Sequence, residues 1–333
     1  MSEPVSKRGI VTDNSSQRLI AERIDYATSV LGDIAERDVA LAPLTTYRLG
    51  GPAALLVKPR GVHDLHTLAD VLAVTGLPVL VVGRGSNLLV SDAGFQGVAL
   101  MLADMSGDYI IEGSQVVAGA AMSLRQLARR MASCALAGFE WAVGVPGSIG
   151  GAVRMNAGGH GSDMAACLVE AELFDLRTHR LAWVPVERLG LRFRGSDLAN
   201  HQVVIQARLQ LAPGDREDSQ KLIDAIVHWR REHQPGGQNA GSVFVNPVPG
   251  ELTAGELIDK VGLRGFRLGT ACVSDKHANF IQGSEGGRAS DVRALIELVR
   301  QRVAAQTGVV MRSEVRLVGF PDVGDDESIG VQW

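Results

Sequence analysis

The amino-acid sequence predicts an α+β fold made of more than one unit, and three observations carry the prediction. Short β-branched runs bounded by glycine crowd residues 83–211, helical periodicity falls mainly before and after that region, and the strands do not alternate regularly with helices as in a doubly wound sheet. With 333 residues, 46% of them hydrophobic, the chain holds enough apolar material for two or three such units.

The opening stretch, residues 1–17, is polar and reads as a mobile tail. Apolar residues at helical spacing in SQRLIAERIDYATSVLGDIAE predict a first helix over 16–36. AALLVKP, DLHTLADVLAVTG and LPVLVVG then read as strand, helix and strand, so residues 18–82 form a first subdomain. From 83 to 211 the strand signals are GVALML, DYIIEG, QVVAGA, VEAELFDL, HRLAWVP and HQVVIQARLQL, interrupted by one clear helix, SLRQLARRMASCALAG, where Ser123 and Gln126 have capping-box spacing. These make a second subdomain rich in antiparallel strands. APGDREDS (212–219) is polar and turn-forming and reads as a linker opening a third unit, 212–320. That unit has helices at QKLIDAIVHWRRE, at TAGELIDKVG with Thr253 and Glu256 at capping-box spacing, and at RASDVRALIELVRQRVAAQTG. It closes on the alternating strand SEVRLVGF, before an acidic tail over 321–333.

Composition excludes several functions. Thirty-three Lys and Arg nearly balance thirty-seven Asp and Glu, giving a net charge of −4, so no positive field exists to hold a nucleic acid. The N-terminus lacks the apolar core of a signal peptide, and no apolar run approaches the ~20 residues of a membrane span, which predicts a soluble, cytoplasmic protein without membrane insertion. Cys134, Cys167 and Cys272 are far apart, with no C-x-x-C pair and no histidine at zinc spacing. They read as reduced, mostly buried thiols, and no metal site is expected.

Two glycine-rich stretches stand out. GRGSNLLVSDAGFQG (83–97) follows a strand, but Leu88 occupies the third glycine position of a dinucleotide fingerprint and no helix follows. No G-x-x-x-x-G-K-[ST] run is present either. AVGVPGSIGGAVRMNAGGHG (142–161) packs seven glycines into twenty residues. Bare backbone of this kind serves tight turns, or lets several N–H groups converge on one anion, and two such loops could clamp a pyrophosphate.

Six segments occur in an order that resembles one family: TTYRLGG (45–51), GRGSNLLV (83–90), GFEWAVGVPGSIGGAVRMNAG (138–158), AGSVFVNP (240–247), DKHANFI (275–281) and SEVRLVG (313–319). This is the UDP-N-acetylenolpyruvoylglucosamine reductase family, and the match spans roughly residues 40–320, with the HANF signature of its shorter second type. The resemblance implies an FAD-binding fold of the vanillyl-alcohol-oxidase type, two subdomains followed by a substrate-binding domain, with noncovalent FAD and NADPH as co-substrate. It implies reduction of UDP-N-acetylglucosamine enolpyruvate to UDP-N-acetylmuramate for peptidoglycan. Two other readings stay open: a flavin oxidase or dehydrogenase of the same fold acting on another small molecule, and a paralogue that binds a UDP-sugar without turnover. Oligomeric state is not readable from the sequence.

On this resemblance the cofactor set is Gly83, Gly85, Ser86, Asn87, Leu88, Pro146, Gly147, Ser148, Gly150, Gly151, Asn156, Ala157 and Gly158 around the pyrophosphate, with Tyr47 and Arg48 near the flavin and Ile205 near the adenine. Arg194 would hold the substrate carboxylate, Ser242 would donate a proton to carbon, and Glu314 would either polarise the carboxylate when protonated or orient Arg194. Taken singly, these read as a surface cation, a turn hydroxyl and a solvent-facing strand carboxylate; only the motif context changes that. Arg230, Asn246 and His277 are the expected substrate contacts. The family often has Lys where this chain has Val245, reaching the nucleotide diphosphate, so Arg230, Arg231 or Lys260 must supply that charge; Phe193 likewise stands where Tyr is common.

Overall fold

The computed structural model describes residues 14–248 and 251–321. In chain order the elements are α1 (Asn14–Leu31), β1 (Ala35–Ala40), β2 (Pro52–Val57), α2 (Val62–Thr75), β3 (Val79–Val81), β4 (Leu88–Val90), β5 (Phe95–Leu100), β6 (Tyr109–Glu112) and β7 (Gln115–Gly119). Then come α3 (Leu124–Ser133), β8 (Leu136–Ala137), α4 (Ile149–Met155), β9 (Gly158–Gly159), β10 (Ser162–Asp163), β11 (Leu168–Asp175), β12 (Leu181–Pro185), β13 (Gln202–Gln210) and β14 (Ala212–Pro213). The chain continues through α5 (Arg216–His233), α6 (Ala254–Lys260), β15 (Arg267–Leu268), β16 (Ala271–Val273), β17 (Ile281–Gly283), α7 (Ala289–Thr307) and β18 (Arg316–Val318).

The helix ends follow from local chemistry, with corrections to the sequence reading. The first helix stops five residues short of the expected 36, because Gly32 turns left-handed at φ 57, and β1 begins at Ala35. Its start at Asn14 falls within the segment expected to be a mobile tail; residues 1–13 and 322–333 lie outside the described residues. Thr253 and Glu256 form the full capping box of α6. Ser123 sits at the N-cap of α3, but its side chain caps nothing. Its segment instead runs antiparallel to the second glycine stretch, bridging Ser123 to Ser148, with Leu124 N–H donating to the Gly147 carbonyl at 3.1 Å.

Two expected boundaries move. The first sheet has the order β1-β2-β5-β3, with β5 parallel to both β2 and β3, so the first unit takes in residues 95–100 rather than ending at 82. A five-stranded antiparallel sheet, β12-β11-β13-β7-β6, forms the second unit. The expected linker at 212–219 contributes β14, paired to β8, and then Asp215, whose carboxylate accepts from the N–H groups of Glu217 and Asp218 to start α5. Ile223 and Ile226 bury α5 into the same core as α3 and the second sheet. By packing, α5 belongs with the first two units.

The remaining unit encloses its own core around α6, α7 and the sheet β15-β16-β17. It is stitched back to the first unit. Tyr47, Leu49 and Leu89 enter this second core, and β18 pairs in parallel with β4, matching Arg316 to Leu88. Of the cysteines, all three are free thiols; Cys167 is buried and its thiol is pushed up to about 12, whereas Cys134 is exposed, contrary to expectation.

Candidate functional site

The two glycine stretches meet. Ser86 Oγ donates to the Pro146 carbonyl at 3.1 Å, and a Cβ at Gly83 would lie 2.5 Å from Ser148 Oγ, so any larger residue there would push the Ser148 hydroxyl aside. Gly85 takes φ 59 and packs so closely on residues 44–45 that a Cβ would lie 2.1 Å from the Leu44 carbonyl oxygen. Between the stretches opens a cavity of about 360 Å³, lined by Thr46, Gly83, Ser86, Ser123, Pro146 and Gly147, among others. Among the described residues, the backbone N–H groups of 83–87 and Gly147 donate to no protein acceptor. Thr46 Oγ1 is buried at this cavity without a partner. Converging free donors and an orphaned hydroxyl suit a phosphorylated ligand, so the residues present fit the pyrophosphate of FAD.

The second stretch contributes less bare backbone than its composition suggests. Ile149, Gly150 and Gly151 form the first turn of α4, and their N–H groups are already used by Met122 O, Ala120 O and Ser148 Oγ. Gly150 serves packing instead, since a Cβ would lie 2.9 Å from that of Ala120. Asn156 ends α4 at φ 39; its amide donates to Asp163 and to the Arg192 carbonyl, and its oxygen accepts from Ala165 N–H. Ala157 N–H returns to Ala152 O, and Gly158 pairs with Asp163. The structure gives Asn156, Ala157 and Gly158 framework contacts where cofactor contacts were expected.

The three residues expected to carry the chemistry come from separate elements. Arg194 lies in the loop between β12 and β13, in the left-handed region at φ 58, and its Nε is 3.2 Å from Glu314 Oε2. Phe193, 52% exposed, lies under its guanidinium with 5.0 Å between charge and ring centre. Glu314 is mostly buried; burial raises its proton affinity above the usual carboxylate range, opposed by the charges of Arg194 and Arg312. The segment that follows Ser242 runs antiparallel to the one that carries Glu314: Glu314 N–H donates to Val243 O at 2.7 Å and Val245 N–H to Arg312 O at 2.9 Å.

The same strand reaches the cofactor cavity. Asn87 Nδ2 donates to the Glu314 carbonyl at 2.9 Å, and Arg316 N–H donates to the Asn87 carbonyl at 2.9 Å. Thus Asn87 and Leu88, expected at the cofactor, also fix the position of Glu314, two residues before β18. Asn200 ties in the Arg194 loop: its Oδ1 accepts from Arg154 Nη2 at 2.8 Å and from Arg316 Nη2 at 2.5 Å.

Other expected residues fall elsewhere. The phenol of Tyr47 is fully buried in the second core and donates to the Ile281 carbonyl at 3.0 Å, so it does not face the cavity; burial keeps it protonated. Arg48 is exposed at φ 52. Ile205 is buried in β13 among core residues. Arg230 donates to Gly144 O and Gln234 Oε1, and burial, with the like charge of Arg125, lowers its proton affinity to about 10. Arg231 offers its carbonyl to Lys276. Asn246 Oδ1 accepts from Ala254 N–H at the start of α6, and Lys260 ends that helix. His277 Nδ1 accepts from Asn279 N–H at 3.2 Å, and burial lowers its proton affinity, so it is a neutral imidazole holding its own turn.

Sequence reasoning missed Arg312, Thr46 and Asn200. Arg312 stands across from Val245, the site of the absent lysine, and no spacing rule links the two because the pairing spans a whole domain. Among the described residues, no group of three potential metal ligands occurs, and no helix is long and apolar enough to cross a membrane.

Comparison with known proteins identifies the arrangement. A family model for the C-terminal domain of UDP-N-acetylenolpyruvoylglucosamine reductase matches residues 233–318, and one for an FAD binding domain matches residues 53–180. The UDP-N-acetylenolpyruvoylglucosamine reductase of Heliobacterium modesticaldum is 41% identical over 277 residues, 83% of this chain and 88% of that protein. The reductase of Bacillus subtilis is 38% identical over 301 residues, 87% and 98% of the two chains. A crystal structure of the enzyme from Thermus caldophilus matches with a TM-score of 0.74 at 34% identity, covering 85% of this chain and 98% of that one. With both halves of the molecule accounted for in this way, the chain belongs to the UDP-N-acetylenolpyruvoylglucosamine reductase family.

Proposed function

We propose that this protein reduces the enolpyruvyl ether of UDP-N-acetylglucosamine to UDP-N-acetylmuramate, a peptidoglycan precursor, in the cytoplasm, with NADPH as reductant. One observation carries the reading: the Arg194–Glu314 ion pair, whose Glu314 N–H bonds the residue after Ser242, is held by the strand that also binds the Asn87 end of the cofactor loop. FAD, held by the first glycine stretch and the cavity beside it, would supply the hydride chemistry that links NADPH to the terminal vinyl carbon. What remains for the protein is charge and a proton.

Hydride addition to that carbon pushes electrons toward the substrate carboxylate, giving an enolate-like dianion. Arg194, only partly exposed, holds the carboxylate and stabilises the added charge. Ser242 Oγ gives its proton to the neighbouring ether-bearing carbon. In the resting site Glu314 orients the Arg194 guanidinium, while its raised proton affinity also lets it hold a proton against the developing charge. Arg312 adds positive charge at the position opposite Val245, where the nucleotide diphosphate needs it.

The test is an anaerobic spectrum of the purified protein, following the flavin band near ~450 nm during addition of NADPH and then of UDP-N-acetylglucosamine enolpyruvate. Bleaching by NADPH, with recovery only on adding the enolpyruvyl substrate, is the expected result. Bleaching without recovery moves the function to another acceptor, and a colourless protein that takes up no FAD overturns the flavin reading.

A further inference from the structure

The glycine stretches provide dipoles but no net charge for a pyrophosphate, which carries two negative charges. Two arginines not counted in the cofactor set above line the same cavity: Arg84, inside the GRGSNLLV segment between its two glycines, and Arg125, in the first turn of α3. Among the described residues neither has a carboxylate partner, whereas arginines such as Arg37, Arg60, Arg208 and Arg264 do. The charges that act on Arg125 are those of other arginines, Arg129 and Arg84. Although Arg125 is exposed, enough protein surrounds its guanidinium that desolvation, then the like charges of Arg129 and Arg84, lower its proton affinity. Arg125 in turn lowers that of Arg230.

A cluster of like charges around a cavity is unfavourable for the protein alone and favourable once an anion enters. The position selects the anion, because Gly83, Arg84 and Ser86, whose N–H groups donate to no protein acceptor, and Thr46, whose hydroxyl is unpartnered, line the same cavity. Resting on the FAD reading above, we infer that Arg125 and Arg84 bind the pyrophosphate of FAD, neutralising charge that the glycine loops only solvate.

The experiment uses the purified protein stripped of flavin and titrated with FAD at low and high salt, for the parent, Arg125→Gln, Arg84→Gln and Arg125→Lys. A charge-assisted hydrogen bond lost to glutamine weakens FAD binding by roughly tenfold or more for each arginine at low salt. The two glutamine variants also lose part of the parent's salt dependence, because fewer charges remain to be screened. Arg125→Lys keeps most of the affinity, and melting temperatures without FAD stay at or above the parent's. Binding of FAD within twofold of the parent by both glutamine variants overturns the inference. So does intact FAD binding with a raised KM for NADPH, which would assign the arginines to the reductant's phosphates. Failure of the parent itself to bind FAD would instead sink the functional reading on which the inference rests.

Discussion

Replacing Gly85 by alanine tests whether the first glycine stretch is shaped by the ligand or only by its turns. Two effects act together. At φ 59 any residue with a Cβ is strained by roughly 1–2 kcal/mol. In addition the new carbon would lie 2.1 Å from the Leu44 carbonyl oxygen and 2.6 Å from Thr45 Cα, both backbone atoms that cannot swing away. The loop must therefore retreat by roughly 1 Å, comparable to the tolerance of a hydrogen bond. Its N–H groups at 84–87 move with it. Losing two charge-assisted bonds of about 1.5 kcal/mol each predicts FAD binding weaker by about a hundredfold. Gly113→Ala is the control: its φ is 64, but nothing lies within 4 Å of its Cβ, so only the strain remains and FAD binding is unchanged. The assay is fluorescence titration of the flavin-free proteins with FAD, alongside chemical denaturation. Equal FAD affinity in Gly85→Ala and Gly113→Ala would refute the reasoning.

Three further outcomes follow from the catalytic end. Ser242→Ala leaves flavin reduction by NADPH intact and slows reoxidation by the enolpyruvyl substrate by about 10²- to 10⁴-fold in stopped flow; if neither half-reaction changes, the proton donor is another group. Glu314→Gln lowers turnover yet raises the melting temperature near neutral pH. The sign follows from burial: a carboxyl with raised proton affinity binds more protons folded than unfolded, so it costs the parent stability as pH rises through and above the usual carboxylate range. The gap between parent and variant should close on acidification below that range, and a gap that widens would contradict the account. Asn200→Ala removes the side-chain acceptor shared by Arg154 and Arg316, while Arg154 keeps its bond to the Ala199 carbonyl, and so loosens the Arg194 loop, lowering kcat/KM for the enolpyruvyl substrate by roughly tenfold while sparing NADPH oxidation. Asn200→Asp, whose carboxylate still accepts from both guanidiniums, should recover most of that loss; equal defects in both variants would point to general misfolding.

The parts of this molecule that were legible in its sequence are those specified by near neighbours. Thr253 and Glu256 announce α6 because the capping box is completed within four residues, and the strands of the antiparallel sheet alternate visibly along their own length. The order of the six motifs is by itself enough to point to the reductase family. What stayed hidden depends on partners far away in the chain. The expected first helix runs on into the first two residues of β1 because the left-handed turn at Gly32 has no apolar signature. The second glycine stretch looked like open loop, yet Ser148 caps a short helix in it and the sheet behind it takes up its N–H groups. Tyr47, adjacent to motif residues, proved to be a core residue because its hydroxyl finds Ile281 across 234 residues. The relation of Arg312 to Val245 is likewise set by tertiary pairing.

The parallel pairing of β18 with β4 has a consequence for how the protein is made. Asn87 and Glu314 are joined across 227 residues, so the floor of the cofactor site is incomplete until almost all of the described chain has been synthesised. Closing so long a loop is entropically slow, and contacts of this range form late in folding. The nascent first unit must therefore persist without its flavin while the ribosome adds the rest. Flavin capture then reports the completion of the molecule, and a chain interrupted before residue 316 would lack the strand that closes the floor of the site.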